Sequence, residues 1–219
     1  MGVKLPNGAV VSIATAYGTP VPITALSNAN PAVATAAAHG FANGDILELT
    51  SAWTKISGRA VRVAASASGN FALEGINTSD TQAYPTGGGV GSARKVSTWV
   101  PIAQVLEVSM SGGDQQFWNF GFLEDAGDDK QIPTSRNPMS ATFTLADDPD
   151  LPHHDALLAA DEARTPRIVR IALPGGSALY WNAYVGYSGM PTLTRNQGMA
   201  CTLSLSLAAR PMRYKAAAV

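Results

Sequence analysis

Nine residues near the C-terminus constrain the fold more than any other stretch. Cys201, Leu203, Leu205, Leu207 and Ala209 alternate with Thr202, Ser204, Ser206 and Ala208, and a period of two is the signature of a strand buried on one face. Met139, Ala141, Phe143 and Leu145 repeat the pattern against Ser140, Thr142 and Thr144. Two further apolar runs, Arg167 to Leu173 and Leu179 to Val185, flank Pro174-Gly175-Gly176-Ser177 and predict a hairpin. Trp118, Phe120 and Phe122 share one face of another strand that begins near Gln116. Together with Phe117 they read as core, because no Lys or Arg interleaves them as a base-stacking surface would require.

One segment reads as a helix. Asp150 is placed to cap it, Pro152 suits its first turn, and no breaker interrupts His153 to Arg164 before Thr165-Pro166. Leu151, Leu157 and Leu158 fall on one side, and Asp161 intrudes there within reach of Arg164. This predicts shallow packing at a sheet edge or a subunit boundary. The chain is therefore expected to be all-β with one short α-helix, a β-sandwich or barrel. Charged residues make up only 14 % and Gly and Pro number 21 and 14, which suits short strands and turns and leaves few charges to oppose self-association.

Residues 28–91 differ in composition. Ile46 to Leu49, Ala60 to Val63 and Phe71 to Leu73 are strand candidates, with turns at Asn43-Gly44-Asp45, Ser57-Gly58-Arg59 and Ser68-Gly69-Asn70. Thr86 to Gly91 reads as a flexible exit, after which strand-forming sequence resumes at Val96. A small β-module inserted into a larger domain, made of residues 1–27 and 92–219, accounts for this break, and the module is expected to decorate the exterior.

No catalytic or metal constellation stands out. His153 and His154 are adjacent, so on a helix they point about 100° apart and cannot share a metal as residues four apart can; they read as a solvated first turn. His39 and Asp45 flank Gly40 and Gly44 and read as a turn. Gly186-Tyr187-Ser188-Gly189-Met190 lacks the last glycine of a nucleophile elbow, and Gly87 to Gly91 lacks the Lys-Ser/Thr of a phosphate loop. Glu48 and Glu74 are the module's only candidates for a glycosidase pair. Cys201 reads as core or as a small interface residue, and a single cysteine excludes an intrachain disulfide. With 15 basic against 16 acidic side chains and no basic run, tight nucleic-acid binding is disfavoured. The N-terminus has no apolar signal core, so the expectation is a soluble, unprocessed chain without catalytic role, cofactor or membrane anchor.

Two resemblances follow from these segments. The order Thr142-Phe143-Thr144-Leu145, helix with Ala156-Leu157-Leu158-Ala159, hairpin, Tyr180-Trp181-Asn182-Ala183, and alternating strand into Arg210-Pro211 resembles the major tail tube proteins of lambda-type long-tailed bacteriophages. Ile102 to Leu145 resembles that family's strand, long polar loop and returning strand, and Ala9 to Ala14 its first strand. Asn30-Pro31-Ala32-Val33, His39 to Asp45, Ile56 to Arg59 and Asn70 to Gly75 resemble a small β-barrel module named after part of ubiquitin-activating enzymes. The first resemblance implies a structural subunit polymerising as stacked hexameric rings around a channel for DNA, with tape-measure, tail-tip and terminator proteins as partners. It implies residence in the virion after assembly in the host cytoplasm. It also gives Gly121 to Pro138 a role: Glu124, Asp125, Asp128, Asp129, Lys130 and Arg136 are expected to touch the neighbouring ring. The alternative is a tail-tip or receptor-binding protein whose module binds a cell-surface ligand.

Overall fold

A computed structural model of the chain describes residues 5–124 and 127–216. The first strands are β1 (Val10–Tyr17), β2 (Val21–Ile23), β3 (Ala25–Leu26), β4 (Ala32–Thr35), β5 (Ile46–Ser51), β6 (Ala60–Ala67) and β7 (Asn70–Leu73). Then come β8 (Gly91–Ile102), β9 (Val105–Ser111), β10 (Gln115–Phe120), β11 (Lys130–Arg136) and β12 (Ser140–Ala146). After α1 (Pro152–Ala163) the chain ends in β13 (Arg167–Ala172), β14 (Ala178–Tyr187), β15 (Ala200–Leu207) and β16 (Met212–Tyr214). The fold is all-β with one short helix, as the periodicity predicts.

Hydrogen-bonded pairing runs without a break in the order β3-β4-β7-β6-β5-β8-β1-β13-β14-β15-β12-β9, with β16 on β14 and β2 on β8; β10 and β11 form a separate pair. The part from β8 to β12 curls around one core, because Ile13, Phe143, Leu145, Val169, Trp181, Leu203 and Leu205 all enter the same cluster. A second core belongs to the residues around the middle segment, including Leu47, Leu49, Ile56, Phe71, Leu73 and Ile76.

What joins the two is a third cluster drawn from both: Ala14, Ile168, Tyr180 and Tyr214 meet Ile46, Ala60 and Val96. Side chains alternate along a strand, so the register row Ile13–Val169–Trp181 faces the first core. Their neighbours Ala14, Ile168 and Tyr180 face the other way, into the seam. Strand β8 is itself shared, its residues 91–95 pairing with β5 and its residues 96–102 with β1. Polar contacts close the seam. The Asn182 amide donates to Glu48 Oε1 at 3.0 Å and to the Gly58 carbonyl at 2.9 Å, while Arg94 pairs with the other oxygen of Glu48. The Tyr214 hydroxyl accepts the Arg62 N–H at 3.0 Å and donates to the Glu74 carbonyl at 3.2 Å. Residues 28–91 thus share strand β8 and a set of polar contacts with the rest of the sheet.

Several local expectations change. Thr86 to Gly91 is no flexible exit: a Cβ on Gly89 would lie 2.8 Å from the Trp53 ring, and one on Gly91 would lie 2.0 Å from the Thr50 carbonyl oxygen. These glycines permit close approach, and the strand resumes at Gly91 rather than Val96. Leu151, not Asp150, is the N-cap of α1, with no side-chain hydrogen bond. The helix is not shallowly packed, since Leu157 is fully buried. Arg164 ends it in the left-handed conformation at φ 48°, and the Asp161 carboxylate accepts the Tyr187 N–H at 3.4 Å.

The seam gives the fold an alkaline limit. Burial pushes the hydroxyls of Tyr17 and Tyr214 up to about 12, against the pull of their backbone hydrogen bonds with Ile168 and Arg62. Their unfolded value is 10.0, so between these values the unfolded chain releases protons that the folded chain retains. Stability is therefore fully present below pH 10.0 and falls as pH rises through about 12. Urea denaturation across that window should show the fall. Tyr214→Phe should cost roughly 1–3 kcal/mol at neutral pH, by stranding the Arg62 N–H, and should flatten the alkaline decline.

Candidate assembly surface

Strands β9 and β12 pair along their length, and past Ser111 and Ser140 the same two chains continue as β10 and β11. Between the halves lie Gly112 and Gly113, at φ 80° and 84°, opposite Asn137 and Pro138. A Cβ on Gly112 would sit 2.0 Å from the Pro138 carbonyl oxygen, so only glycine allows the ribbon to bend there. Beyond the bend the β10–β11 hairpin continues as an arm that is hydrogen-bonded to no other sheet among the described residues. An isolated two-stranded hairpin is marginal in water.

One face of this arm is aromatic. Trp118 stacks on Phe120 with centroids 4.9 Å apart, Phe120 meets Phe122 edge-on at 5.6 Å, and the Lys130 ammonium lies 5.5 Å from the Phe122 centroid. Ile132 stands opposite Trp118 in the register. Trp118 is 59 % exposed and Phe117, Phe122 and Ile132 are similarly open, so the expectation that these aromatics form core is wrong within a single chain. They were misread because apolar character reports burial without saying against what. Burying each such side chain is worth about 1.5–3 kcal/mol, and a contiguous patch of this kind marks an interaction surface. The clue in the sequence is the matched Gly112-Gly113 and Asn137-Pro138 breaks, which detach this ribbon from the sheet that would have covered it.

Two further surfaces flank the base of the arm. On the outer face of β9-β12-β15-β14 the register aligns Ser111–Ser140–Ser206–Tyr184, then Ser109–Thr142–Ser204–Gly186, then Glu107–Thr144–Thr202. This is a hydroxyl surface with one carboxylate and no cation. On the inner side the curled sheet does not close: β9 leaves a slot of about 520 Å³ against β1, β13 and Trp181. Leu106, Val108 and Met110 line it and are exposed. As the last strand of the pairing order, β9 also offers a backbone edge that is unpaired among the described residues.

The residues expected to contact a neighbouring ring spread along the arm instead of sharing one loop. Residues 130–136 form a strand, which confines the loop to the segment before Lys130. Glu124, Asp128 and Asp129 are exposed at the tip, and Asp125 lies outside the described residues. Lys130 begins β11 opposite Phe120. Arg136 ends it at the base, six residues or about 20 Å away, where its Nε donates to Gln115 Oε1 at 3.2 Å.

The other candidates are held apart. His39 is buried, its Nδ1 accepting the Phe41 N–H at 3.0 Å and its Nε2 donating to the Ala67 carbonyl at 2.6 Å. Asp45 turns away to the Ala42 N–H and to Lys95. His153 is not solvated but 2 % exposed, and burial lowers its pKa. Glu48 and Glu74 are each paired with their own arginine, Arg94 and Arg62. The Cys201 thiol donates to Asp147 at 3.3 Å, and burial raises its pKa. Among the described residues no three His, Cys, Asp or Glu side chains are grouped to hold a metal, and no helix is long and apolar enough to cross a membrane.

Among the described residues, an open edge strand, an exposed aromatic hairpin and an apolar slot give this β-protein surfaces of the kind that meet other chains. The sequence model of the phage tail tube proteins (TTP) matches residues 51–216, and the chain belongs to that family of virion structural proteins. No curated protein matches it. Among solved structures, a chain of the native gene transfer agent virion is 10 % identical, with TM-score 0.42, covering 53 % of this chain and 88 % of that one. A chain of the anti-feeding prophage baseplate is 12 % identical, with TM-score 0.42, covering 56 % and 88 %. One of an extracellular contractile injection system sheath–tube complex is 13 % identical, with TM-score 0.37, covering 49 % and 79 %.

The exposure of the arm can be checked in the unassembled chain. Trp53 and Trp181 are buried and Trp99 is half-buried, so acrylamide should quench chiefly the emission of Trp118. Trp118→Phe should remove that accessible component and change stability by less than about 0.5 kcal/mol, as surface substitutions usually do.

Proposed function

We propose that the chain is the repeating subunit of a lambda-type bacteriophage tail tube, polymerising as stacked hexameric rings around a channel through which DNA passes. The observation that carries this reading is the hydroxyl face of β9, β12, β15 and β14. A duplex moves through a channel only if the wall does not neutralise its phosphates, because each cation that does so releases counterions and tightens binding. The rows from Ser111 to Thr202 present hydroxyls and Glu107 but no Lys or Arg, which suits a lining that repels or ignores the backbone.

The size is consistent. Hexameric rings giving about four strands per subunit make a barrel of about 24 strands; at about 4.8 Å spacing and a tilt of about 40° its backbone diameter is roughly 48 Å. Side chains narrow this by about 10 Å, still wider than a B-DNA duplex of roughly 20 Å. On this reading residues 28–91 are an inserted small β-barrel module, seated over β1, β13 and the start of β14 and so on the tube's outer side. Tape-measure, tail-tip and terminator proteins are its partners, DNA is non-specific cargo, and assembly takes place in the host bacterial cytoplasm.

The exposed charges at the arm tip, Glu124, Asp128 and Asp129, then reach the next ring together with Asp125, Lys130 and Arg136. Exposed pairs of this kind add little stability but steer register. Reversing Asp128 and Asp129 to Lys should shorten tubes seen by electron microscopy while circular dichroism shows the β-fold intact. Tubes as long and as numerous as wild type would reduce the tip to a solvated turn.

A further inference from the structure

We propose that α1 is an acid-released latch: protonation of the buried His153 lifts the first turn of the helix off the curled sheet and uncovers Tyr187 and Cys201 beneath it. Burial holds this turn, and little else does. Leu151 caps it without a side-chain hydrogen bond, and no basic residue stands in the last turn, so the helix leans on its buried residues His153, Leu157 and Ala160. Of these only His153 can gain a charge. It is 2 % exposed, and its Nδ1 is buried with no hydrogen-bond partner among the described residues. A neutral ring leaves only a lone pair at that atom. A proton there would be a buried cationic donor with no acceptor, at the end of the helix where the backbone dipole already disfavours positive charge.

The surrounding groups do not offset that charge. His154 follows it and repels it, with its own Nδ1 3.2 Å from the Tyr187 hydroxyl. Ahead of the helix, Asp147 receives the Cys201 thiol at 3.3 Å and Asp148 the Gln104 amide at 3.0 Å; Asp148 attracts His153 without bonding to it. On α1, Asp161 accepts the Tyr187 N–H and Asp155 shares a cleft with Arg167 of β13. Burial pushes the Tyr187 hydroxyl of β14 up to about 12, so it stays neutral in acid, and β8 packs on the helix with no charged side chain from Val96 to Ile102. Burial therefore lowers His153 below its ordinary value of 6.5, with His154 adding to the effect. Above pH 6.5 docked and lifted turns are both neutral and the latch is fully held. Below it the lifted turn takes up a proton that the docked one refuses. The open fraction then grows by up to about tenfold per pH unit until the lowered value is passed.

The single cysteine reports the opening. Cys201 is buried and free, and dithiodipyridine reacts with thiols in acid, so its rate in the unassembled chain is measured against that of the urea-unfolded chain at each pH. The expected ratio is flat above pH 6.5 and rises by up to about tenfold per unit below it, while circular dichroism still shows the β-fold. His153→Phe and His153→Gln, which cannot take up the proton, should each abolish the rise, and Asp147→Asn should leave it in place. A rise that survives in the His153 variants would put the trigger on another group and overturn the proposal, as would loss of the whole β-fold at the same pH. Should neither His153 variant fold, proton NMR of the three wild-type histidine rings decides. His153 is expected to titrate below 6.5 in step with the exposure of Cys201, and titration at or above that value would refute the latch.

Discussion

Burial of β1, β13 and β14 on both faces is the constraint on which the rest of the structure depends. A strand usually offers one face to a core and the other to water. Here Ile13, Val169 and Trp181 fill the core of the curled sheet, while Ala14, Ile168 and Tyr180 fill the seam. The same three strands therefore hold two bodies of structure together, and a one-residue slip in any of them would exchange the two sets of side chains. Asn182, Tyr214 and Glu48 fix the register at this junction by hydrogen bonds that only one alignment satisfies.

From that fixed seam the remaining surfaces take their places. With β5 and β6 packed over one sector of the sheet's outer side, the other sector, β9-β12-β15 and the end of β14, is left bare among the described residues and carries hydroxyls. With β1 and β13 engaged in the seam, the sheet curls without closing against β9, and the slot is what remains open. The arm follows from two glycines that bend the ribbon off the sheet. A subunit whose own core is complete, yet which leaves an edge strand, an aromatic face and a slot exposed, has divided its apolar surface between folding and assembly.

Much of this was readable from periodicity. The alternation of Cys201 to Leu207 and of Ala141 to Leu145 correctly assigned one face to the core, because a period of two has a single structural solution. The less regular runs at Val10 to Ala14 and Arg167 to Ile171 gave the strands but concealed their double burial, since a continuous apolar run does not say how many cores it serves. Thr86 to Gly91 misled in the opposite direction. Glycine favours flexible connections and close approaches alike, and only the position of Trp53 and Thr50 distinguishes the two.

The sequence by itself determined the all-β class, the hairpin at Pro174 to Ser177 and the helix, all of which depend on neighbours a few residues apart. Tertiary structure decided which apolar residues are interior. Trp118 and Phe122 are as apolar as Phe143 and Trp181, but the latter pair lies 5.9 Å apart in the core and the former are exposed. Hydrophobicity is a property of the side chain, whereas burial belongs to whatever the fold, or another copy of it, brings into contact.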